Sequence, residues 1–348
     1  MKRITIMSRQ SDAASIDIEM LAAALRETGE FEVKVMCRKL TRNRALTYPF
    51  HMLSQLREMK RSDVLIVDGY CIVNSLVRHP RRLKVVQMWH ALSAIKQFGW
   101  QTVGKSDGSS EKLAGLMKMH AGYDYILSSS DITAGYFCEG FRADPEKVIK
   151  LGLPRIDYIL KSVPQKAEEI RRRYPVLSET SPESRRVMLY VPTFRKGRGI
   201  DVESLRESAT RHGFILALKP HPLDRTEFEI TEGMILDDEF SSYDWLSVAD
   251  VVVSDYSSYV VEATLADKPL YLYTYDKSEY LEGTGLNVRF SEEAIGRYEY
   301  SDAEALVRAA AAEEYDMDAL RQFRSKYIDV DTEDCTGQLV DFMRRITK

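Results

Sequence analysis

The chain has no cysteine pair at metal or disulfide spacing: Cys37, Cys71, Cys138 and Cys335 are scattered, with no CxxC. That argues against a zinc site or a disulfide framework and fits a reducing cytoplasm. No apolar run approaches the roughly 20 residues that a membrane-spanning helix needs. The opening Met1-Lys-Arg-Ile-Thr-Ile-Met reads as a short strand, not as a signal peptide. There is no G-x-G-x-x-G, so a tightly bound dinucleotide in the first half is not supported. No repeat of 20–50 residue period and no low-complexity stretch is evident. No arginine-rich or aromatic-interleaved patch dominates, so no nucleic-acid partner is expected. No DxD or carboxylate cluster at metal-ligand spacing sits beside Thr193, Arg195, Lys219 or the Asp255–Ser258 turn. Asp237-Asp238 points only weakly to a metal, and none is expected.

What is present is an ordinary globular composition, 44% hydrophobic and 29% charged, over 348 residues. That length suggests two domains, each able to bury a core. Residues 1–157 carry 24 Lys+Arg against 17 Asp+Glu, and the remainder carries 25 against 36. A basic first half suits an anionic acceptor or an anionic lipid surface. The bland alternative is a chance difference between domains.

Arg3–Ser8 reads as a strand, followed by a helix over about Ile16–Thr28 and a strand at Glu32–Cys37. This opening is Rossmann-like. Phe50, Leu53, Leu56 and Met59 share one helical face beside Arg57, Lys60 and Arg61. A helix packed on its own sheet is favoured over a membrane-surface helix, because a strand follows at once at Asp63–Asp68. Leu83–Met88 is the next strand and runs into Trp89-His90. A histidine just past a parallel strand lies where open α/β sheets place ligands, although most lone histidines are structural or merely exposed. Gln97–Glu111 reads as a flexible loop, and Tyr125–Ser128 and Val148–Lys150 as strands. The domain boundary is placed at Asp157. A helix at 164–174 and a linker at 175–184 lead into a second Rossmann-like unit, and a C-terminal helix is expected within 331–348.

The polar residues of the second unit follow its strands. Val187–Val191 leads to Thr193 and Arg195, and Phe214–Leu218 leads to Lys219 and His221. Val251–Ser254 leads to Asp255, Ser257 and Ser258, before a helix containing Glu262. Strand, hydroxyl-rich turn and helix together present free N–H groups to an anion. If the three strands are parallel neighbours, the clusters converge on one edge and suit a nucleoside diphosphate. Independent surface loops are the competing reading. Pro269–Tyr273 is the last clear strand, and amphipathic helices close the chain.

Gln87-Met-Trp89-His90, Val191-Pro192-Thr193-Phe194-Arg195, Lys219-Pro-His221-Pro222 and Ser254-Asp255-Tyr256-Ser257-Ser258, in that order, resemble the CDP-glycerol glycerophosphotransferases. That family includes the teichoic acid primases and polymerases and related capsule polymerases. Gly152-Leu-Pro154-Arg155-Ile-Asp157 and the run from Lys268 through Asp276 to Tyr280 look like the same family. The resemblance implies a GT-B fold, two Rossmann-like domains facing across a cleft, with the donor held by the C-terminal one. It implies transfer of a polyol phosphate from CDP-glycerol or another CDP-polyol to a hydroxyl, releasing CMP, with no bound cofactor. His90 and His221 inherit the role of catalytic pair, and Ser257 and Ser258 inherit contact with donor phosphate. The acceptor it implies is a lipid-linked glycan or polyol-phosphate chain at the inner membrane face. Ala91 stands where glycine is usual, Glu262 where aspartate is, and Glu282-Gly-Thr-Gly replaces an Arg-Gly-Phe-Tyr-like segment. No long helical extension precedes the first strand, so a processive polymerase with its own membrane domain is not expected.

On this reading His90 removes the acceptor proton. His221 assists at a phosphate oxygen or the leaving group. Thr193, Arg195, Lys219, Asp255, Ser257, Ser258 and Glu262 bind the donor. The rivals are a GT-B glycosyltransferase using a nucleotide sugar and a module that binds a CDP-polyol or polymer without turnover.

Overall fold

A computed structural model of the chain describes residues 1–40, 47–105, 108–178, 185–195, 199–221, 224, 226, 228–229, 231–283 and 285–348. Residues 106–107 of the expected loop, 179–184 of the expected linker, and Pro222 and Thr284 of the motif segments lie outside the described residues. The chain divides into two compact units, Met1–Asp157 with Tyr327–Lys348, and Tyr158–Lys326. The last helix, Cys335–Ile346, is therefore part of the first unit and not a separate piece. It packs Phe342 edge-on against Tyr125, at 5.3 Å between ring centroids. Arg344 of that helix pairs with Glu30.

The first unit holds strands β1 (Lys2–Ser8), β2 (Phe31–Cys37), β3 (Val64–Val67), β4 (Lys84–Gln87), β5 (Tyr125–Ser128) and β6 (Val148–Lys150). They form one parallel sheet in the order β2-β1-β3-β4-β5-β6. β3 is Val-Leu-Ile-Val and wholly buried, as a strand covered on both faces must be. Strand order reverses between β1 and β3. Polar residues just past β1, β3 and β4 therefore share one edge, where such sheets bind ligands.

Helix α1 (Ile16–Glu27) is capped by the Ser15 hydroxyl and buries Ile18, Leu21, Ala22 and Leu25. Helix α2 (Tyr48–Arg61) buries Tyr48 and Met59 within the unit. Its other side leaves Phe50 74% and Leu53 63% exposed. Arg57, Lys60 and Arg61 are exposed with them. The four apolar residues expected on one buried face are thus split between core and surface.

Three short helices escape the periodicity argument: α3 (Ile72–Leu76), α4 (Glu111–Leu116) and α5 (Asp131–Phe141). The first two are too short to show a period. In α5 the apolar pattern is broken by Gly135 and Gly140. Gly140 has a packing reason, since a Cβ there would meet Phe98 Cζ at 2.4 Å. Phe98 thereby joins the core cluster of Trp89, Phe137 and Phe141. The start of the expected flexible loop is thus packed, and Gly99–Thr102 is a 3-10 turn.

The second unit holds β7 (Arg186–Tyr190), β8 (Phe214–Leu218), β9 (Met234–Leu236), β10 (Val251–Ser254), β11 (Leu270–Tyr273) and β12 (Glu299–Tyr300). The order is β12-β11-β10-β7-β8-β9, again all parallel. Its switch point lies between β7 and β10. β12, two residues long, gave no sequence pattern to detect. The expected helix at Tyr243–Val248 is a 3-10 turn over Asp244–Ser247. The expected helix at 164–174 is a 3-10 turn at Val163–Lys166 followed by a helix at Ala167–Arg173.

Asp157 fastens the returning chain to the first unit. Its carboxylate accepts the Cys335 N–H at 3.2 Å, the Thr336 N–H at 2.7 Å and the Thr336 hydroxyl at 2.6 Å. Asp157→Ala is expected to cost about 2 kcal/mol, the scale of lost charge-assisted hydrogen bonds. Urea unfolding followed by circular dichroism checks this. An unchanged midpoint would show that the last helix docks without this carboxylate.

Candidate active site

In the first unit the site begins where β4 stops. The Gln87 side-chain oxygen accepts the Trp89 N–H at 2.9 Å, and its amide donates to the Gly69 carbonyl at 3.2 Å. Trp89 takes a left-handed backbone, φ 62°. For a bulky side chain that conformation costs of order 1–3 kcal/mol and persists only where the surroundings impose it. The indole supplies that constraint: it lies 4.5 Å from Phe98, 5.8 Å from Phe137 and 5.4 Å from Phe141, centroid to centroid. The conformationally demanding position thus precedes the histidine. Ala91, at the position where glycine is usual, has no positive φ.

The turn turns His90 outward, and its ring lies 4.2 Å from the indole. His90 Nδ1 is 2.9 Å from the Asp68 carbonyl oxygen. A carbonyl can only accept, so Nδ1 carries the proton and Nε2 keeps a lone pair. The Gln10 amide nitrogen, 3.3 Å from the same Nδ1, is then a neighbour and not a donor to it. His90 keeps solvent-exposed surface. Desolvation by the protein packed around it still holds the imidazole below its ordinary value, with the Arg155 charge acting the same way. It is neutral near pH 7.

The support behind His90 is buried and ionic. Arg155 donates to the His90 carbonyl at 2.8 Å. Its backbone N–H and its Nε each reach Asp17 at 2.8 Å, and its Nη2 donates to the same carboxylate. Asp68 accepts the Ser8 hydroxyl at 2.6 Å through Oδ2, while its Oδ1 is buried without a partner. Burial pushes the Asp68 carboxyl up to about 6.

In the second unit, β10, β7 and β8 are adjacent and parallel, so the three polar clusters do share an edge. The Phe194 and His221 rings, 6.0 Å apart, join the turn after β7 to the turn after β8. Asp255 accepts the Thr193 N–H at 3.0 Å with both oxygens and pairs with Arg195. Arg195 also forks onto Asp276, at 2.9 and 3.0 Å, and donates to the Thr193 carbonyl at 2.7 Å. The rings of Tyr256, Tyr275 and Tyr280 surround its guanidinium within 5.6 Å.

Lys219 spends its ammonium on the Asp237 carboxylate and carbonyl and on the Phe240 carbonyl. Arg195 and Lys219, expected to grip a diphosphate, thus have their donors engaged inside the unit. These contacts brace the loops of the edge. Asp237, weakly considered as a metal ligand, also takes hydrogen bonds from Trp245 and Tyr174, at 2.9 and 2.8 Å. Burial opposes its ionisation, but these bonds hold its pKa near 2. Glu262 is buried and accepts the Tyr243 hydroxyl beneath the serine turn.

The groups left over are neutral donors. Among the described residues, the backbone N–H groups of Tyr256, Ser257 and Ser258 have no acceptor. The Thr193 hydroxyl is buried without a partner. Ser257 and Ser258 are partly exposed, and His221 is exposed. The helix that follows, Tyr259–Ala263, is only 5 residues long. Its macrodipole adds little, so an anion at this edge would be held by these donors themselves.

Four residues around the two strand-end clusters were not singled out in the sequence: Gln10, Asp17, Asp68 and Asp276. Asp68 follows β3 as His90 follows β4, so the same strand-end rule reaches it. Asp276 and Arg155 sit in segments noticed as family markers, where nothing local shows an ion pair. Nothing near Asp17 or Gln10 in sequence signals either.

The family model for CDP-glycerol:poly(glycerophosphate) glycerophosphotransferase matches residues 1–344. The teichoic acid ribitol-phosphate primase of Bacillus spizizenii is 26% identical over 359 residues, spanning 98% of this chain and 90% of that protein. The teichoic acid glycerol-phosphate primase of Bacillus subtilis is 26% identical over 268 residues, spanning 74% of this chain and 68% of that one. Among solved structures, the wall teichoic acid polymerase TagF superposes with a TM-score of 0.72 at 16% identity, covering 99% of this chain and 88% of that one. A UDP-GlcNAc 2-epimerase from Neisseria meningitidis gives 0.62 at 12% identity, covering 99% of this chain and all of that one. The structural likenesses are of fold, two parallel-sheet α/β units of the GT-B class.

Arg195→Met would leave the buried Asp255 and the partly buried Asp276 without a cation, at an expected cost of about 3–5 kcal/mol. Arg195→Lys should recover little, because one ammonium cannot fork onto two carboxylates. Denaturant midpoints for the two variants decide it. A lysine variant as stable as the parent would refute the bidentate role.

Proposed function

The chain belongs to the CDP-glycerol:poly(glycerophosphate) glycerophosphotransferase family, and on that footing we propose how it works. It transfers a polyol phosphate from a CDP-polyol to an acceptor hydroxyl and releases CMP. The acceptor oxygen attacks the β-phosphorus of the donor in line. A new P–O bond forms there, the bond to the CMP phosphate breaks, and CMP leaves with the electron pair. Among the polyols we favour glycerol phosphate, with ribitol phosphate second. The acceptor we favour is a polyol-phosphate chain or lipid-linked glycan at the inner membrane face.

The observation that carries the reading is the tautomer lock on His90: Nδ1 held 2.9 Å from the Asp68 carbonyl leaves Nε2 as a neutral base. Nε2 takes the proton as the hydroxyl attacks. The second unit holds the donor phosphates with the free N–H groups of residues 256–258 and the hydroxyls of Thr193, Ser257 and Ser258. His221 donates to a phosphate oxygen or to the departing CMP. Phosphoryl transfer asks mainly for positioning and charge stabilisation, which this inventory provides. Attachment to the membrane face is supported by exposed Phe50 and Leu53 beside Arg57, Lys60 and Arg61 on α2. Among the described residues, no helix is long and apolar enough to cross a membrane.

The test is CMP release from CDP-glycerol and CDP-ribitol with an acceptor analogue. His90→Ala should lose about 10²–10⁴-fold in kcat, the worth of a general base. Release of a nucleoside diphosphate from a nucleotide sugar would instead establish a glycosyltransferase. Donor binding without turnover on any acceptor would establish a binding module.

The pH profile is a second check. A base acts only when unprotonated, and the His90 value is depressed. The acid limb of kcat/KM should therefore fall below the ordinary histidine value of about 6.5. A limb at or above that value would show that His90 is not the base, or not desolvated.

A further inference from the structure

The first unit contains a cavity of about 330 Å³ that the reaction above does not use. Trp100, Lys118, His120, Arg142 and Lys147 line it. Among the described residues, none of the three cationic side chains has a carboxylate partner. The Arg142 guanidinium instead lies 3.6 Å from the centre of the Trp100 ring. Stacking holds a guanidinium flat and leaves its N–H edge for a ligand. Trp100 is itself fixed, donating from its indole nitrogen to the Met119 carbonyl at 2.9 Å.

Lys118, His120 and Arg142 all have left-handed backbones, with φ of 44°, 59° and 51°. Three such non-glycine residues around one cavity mark imposed local geometry, and sites of that kind often carry function. His120 is buried, and its Nδ1 is 2.9 Å from the Tyr123 hydroxyl. Nε2 has no protein partner among the described residues. The Trp89 indole neighbours both rings: it is 6.3 Å from His120, which lines the cavity, and 4.2 Å from His90, centroid to centroid.

We infer that this cavity is a binding site for a phosphodiester group of the acceptor chain, at least one unit removed from the hydroxyl that reacts. Unpaired cations, a stacked guanidinium and an imidazole nitrogen suit a singly charged anion with several acceptor oxygens. An acceptor built of polyol phosphates offers such a group at every repeat, so the inference rests on the function proposed above.

The experiment titrates the full chain, without donor, with a short glycerol-phosphate oligomer, with glycerol 3-phosphate and with phosphatidylglycerol vesicles. Calorimetry or tryptophan fluorescence reads binding. The oligomer should bind, with affinity falling as salt rises. The combined variant Lys118→Gln, Arg142→Gln, Lys147→Gln should lose at least tenfold. Lys147→Gln alone, at an ordinary backbone position, should lose part of this and guards against a triple variant that fails to fold. Equal oligomer affinity in folded variants overturns the proposal. So does binding of vesicles, but not oligomer, through these residues. CMP release to a one-unit acceptor analogue separates the two ideas. It should be unchanged in the variants, and its absence in the parent would count against the reaction and not against the cavity.

Discussion

An arginine buried against aspartates holds the functional edge of each unit in place. In the first, Arg155 ties Asp17 of α1 to the carbonyl of His90. In the second, Arg195 ties the turn after β7 to Asp255 after β10 and Asp276 after β11. Taking such charges out of water is costly, and only well-formed, multiply hydrogen-bonded pairs offset it. That requirement is what makes them useful here. Loops beyond the ends of parallel strands have no ladder to order them. An ion pair that tolerates no other geometry fixes where those loops, and the groups on them, must sit.

This arrangement changes how an anion can be held. The positive charge of Arg195 is offset by two carboxylates, and that of Lys219 by Asp237. The edge of the second unit is therefore framed by paired charges, and the groups without a partner among the described residues are the amide N–H groups of residues 256–258 and the Thr193 hydroxyl. Donors fixed before the ligand arrives need not reorganise as charge shifts in the transition state, which is where preorganised dipoles are most effective.

In the first unit the constraint is conformational. Trp89 is held in a backbone region that large side chains avoid, paid for by the aromatic packing of its indole and by the Gln87 amide. That one turn sets the direction of His90, brings its Nδ1 onto the Asp68 carbonyl and so selects which nitrogen is basic. The same indole lies 4.2 Å from the His90 ring and 6.3 Å from His120, which lines the cationic cavity.

The sequence by itself determined the two parallel-sheet units, because buried β-branched runs and strand-end polar clusters are local signals. It also determined the positions of His90, His221, Thr193 and the serine turn, since each follows a strand and strand ends are where such sheets bind ligands. It missed β12, α3 and α4, which are too short to show a period, and α5, whose pattern is interrupted for packing by Gly140. Only the tertiary structure decided which charged residues are free. Arg195 and Lys219 look like phosphate ligands in a sequence, and nothing local reveals that Asp276, 81 residues on, or Asp237 has claimed them. Likewise Asp17 and Arg155 lie 138 residues apart, and their pairing exists only once the chain has folded. Motif chemistry is carried by neighbours in sequence, whereas the availability of a charge depends on neighbours in space.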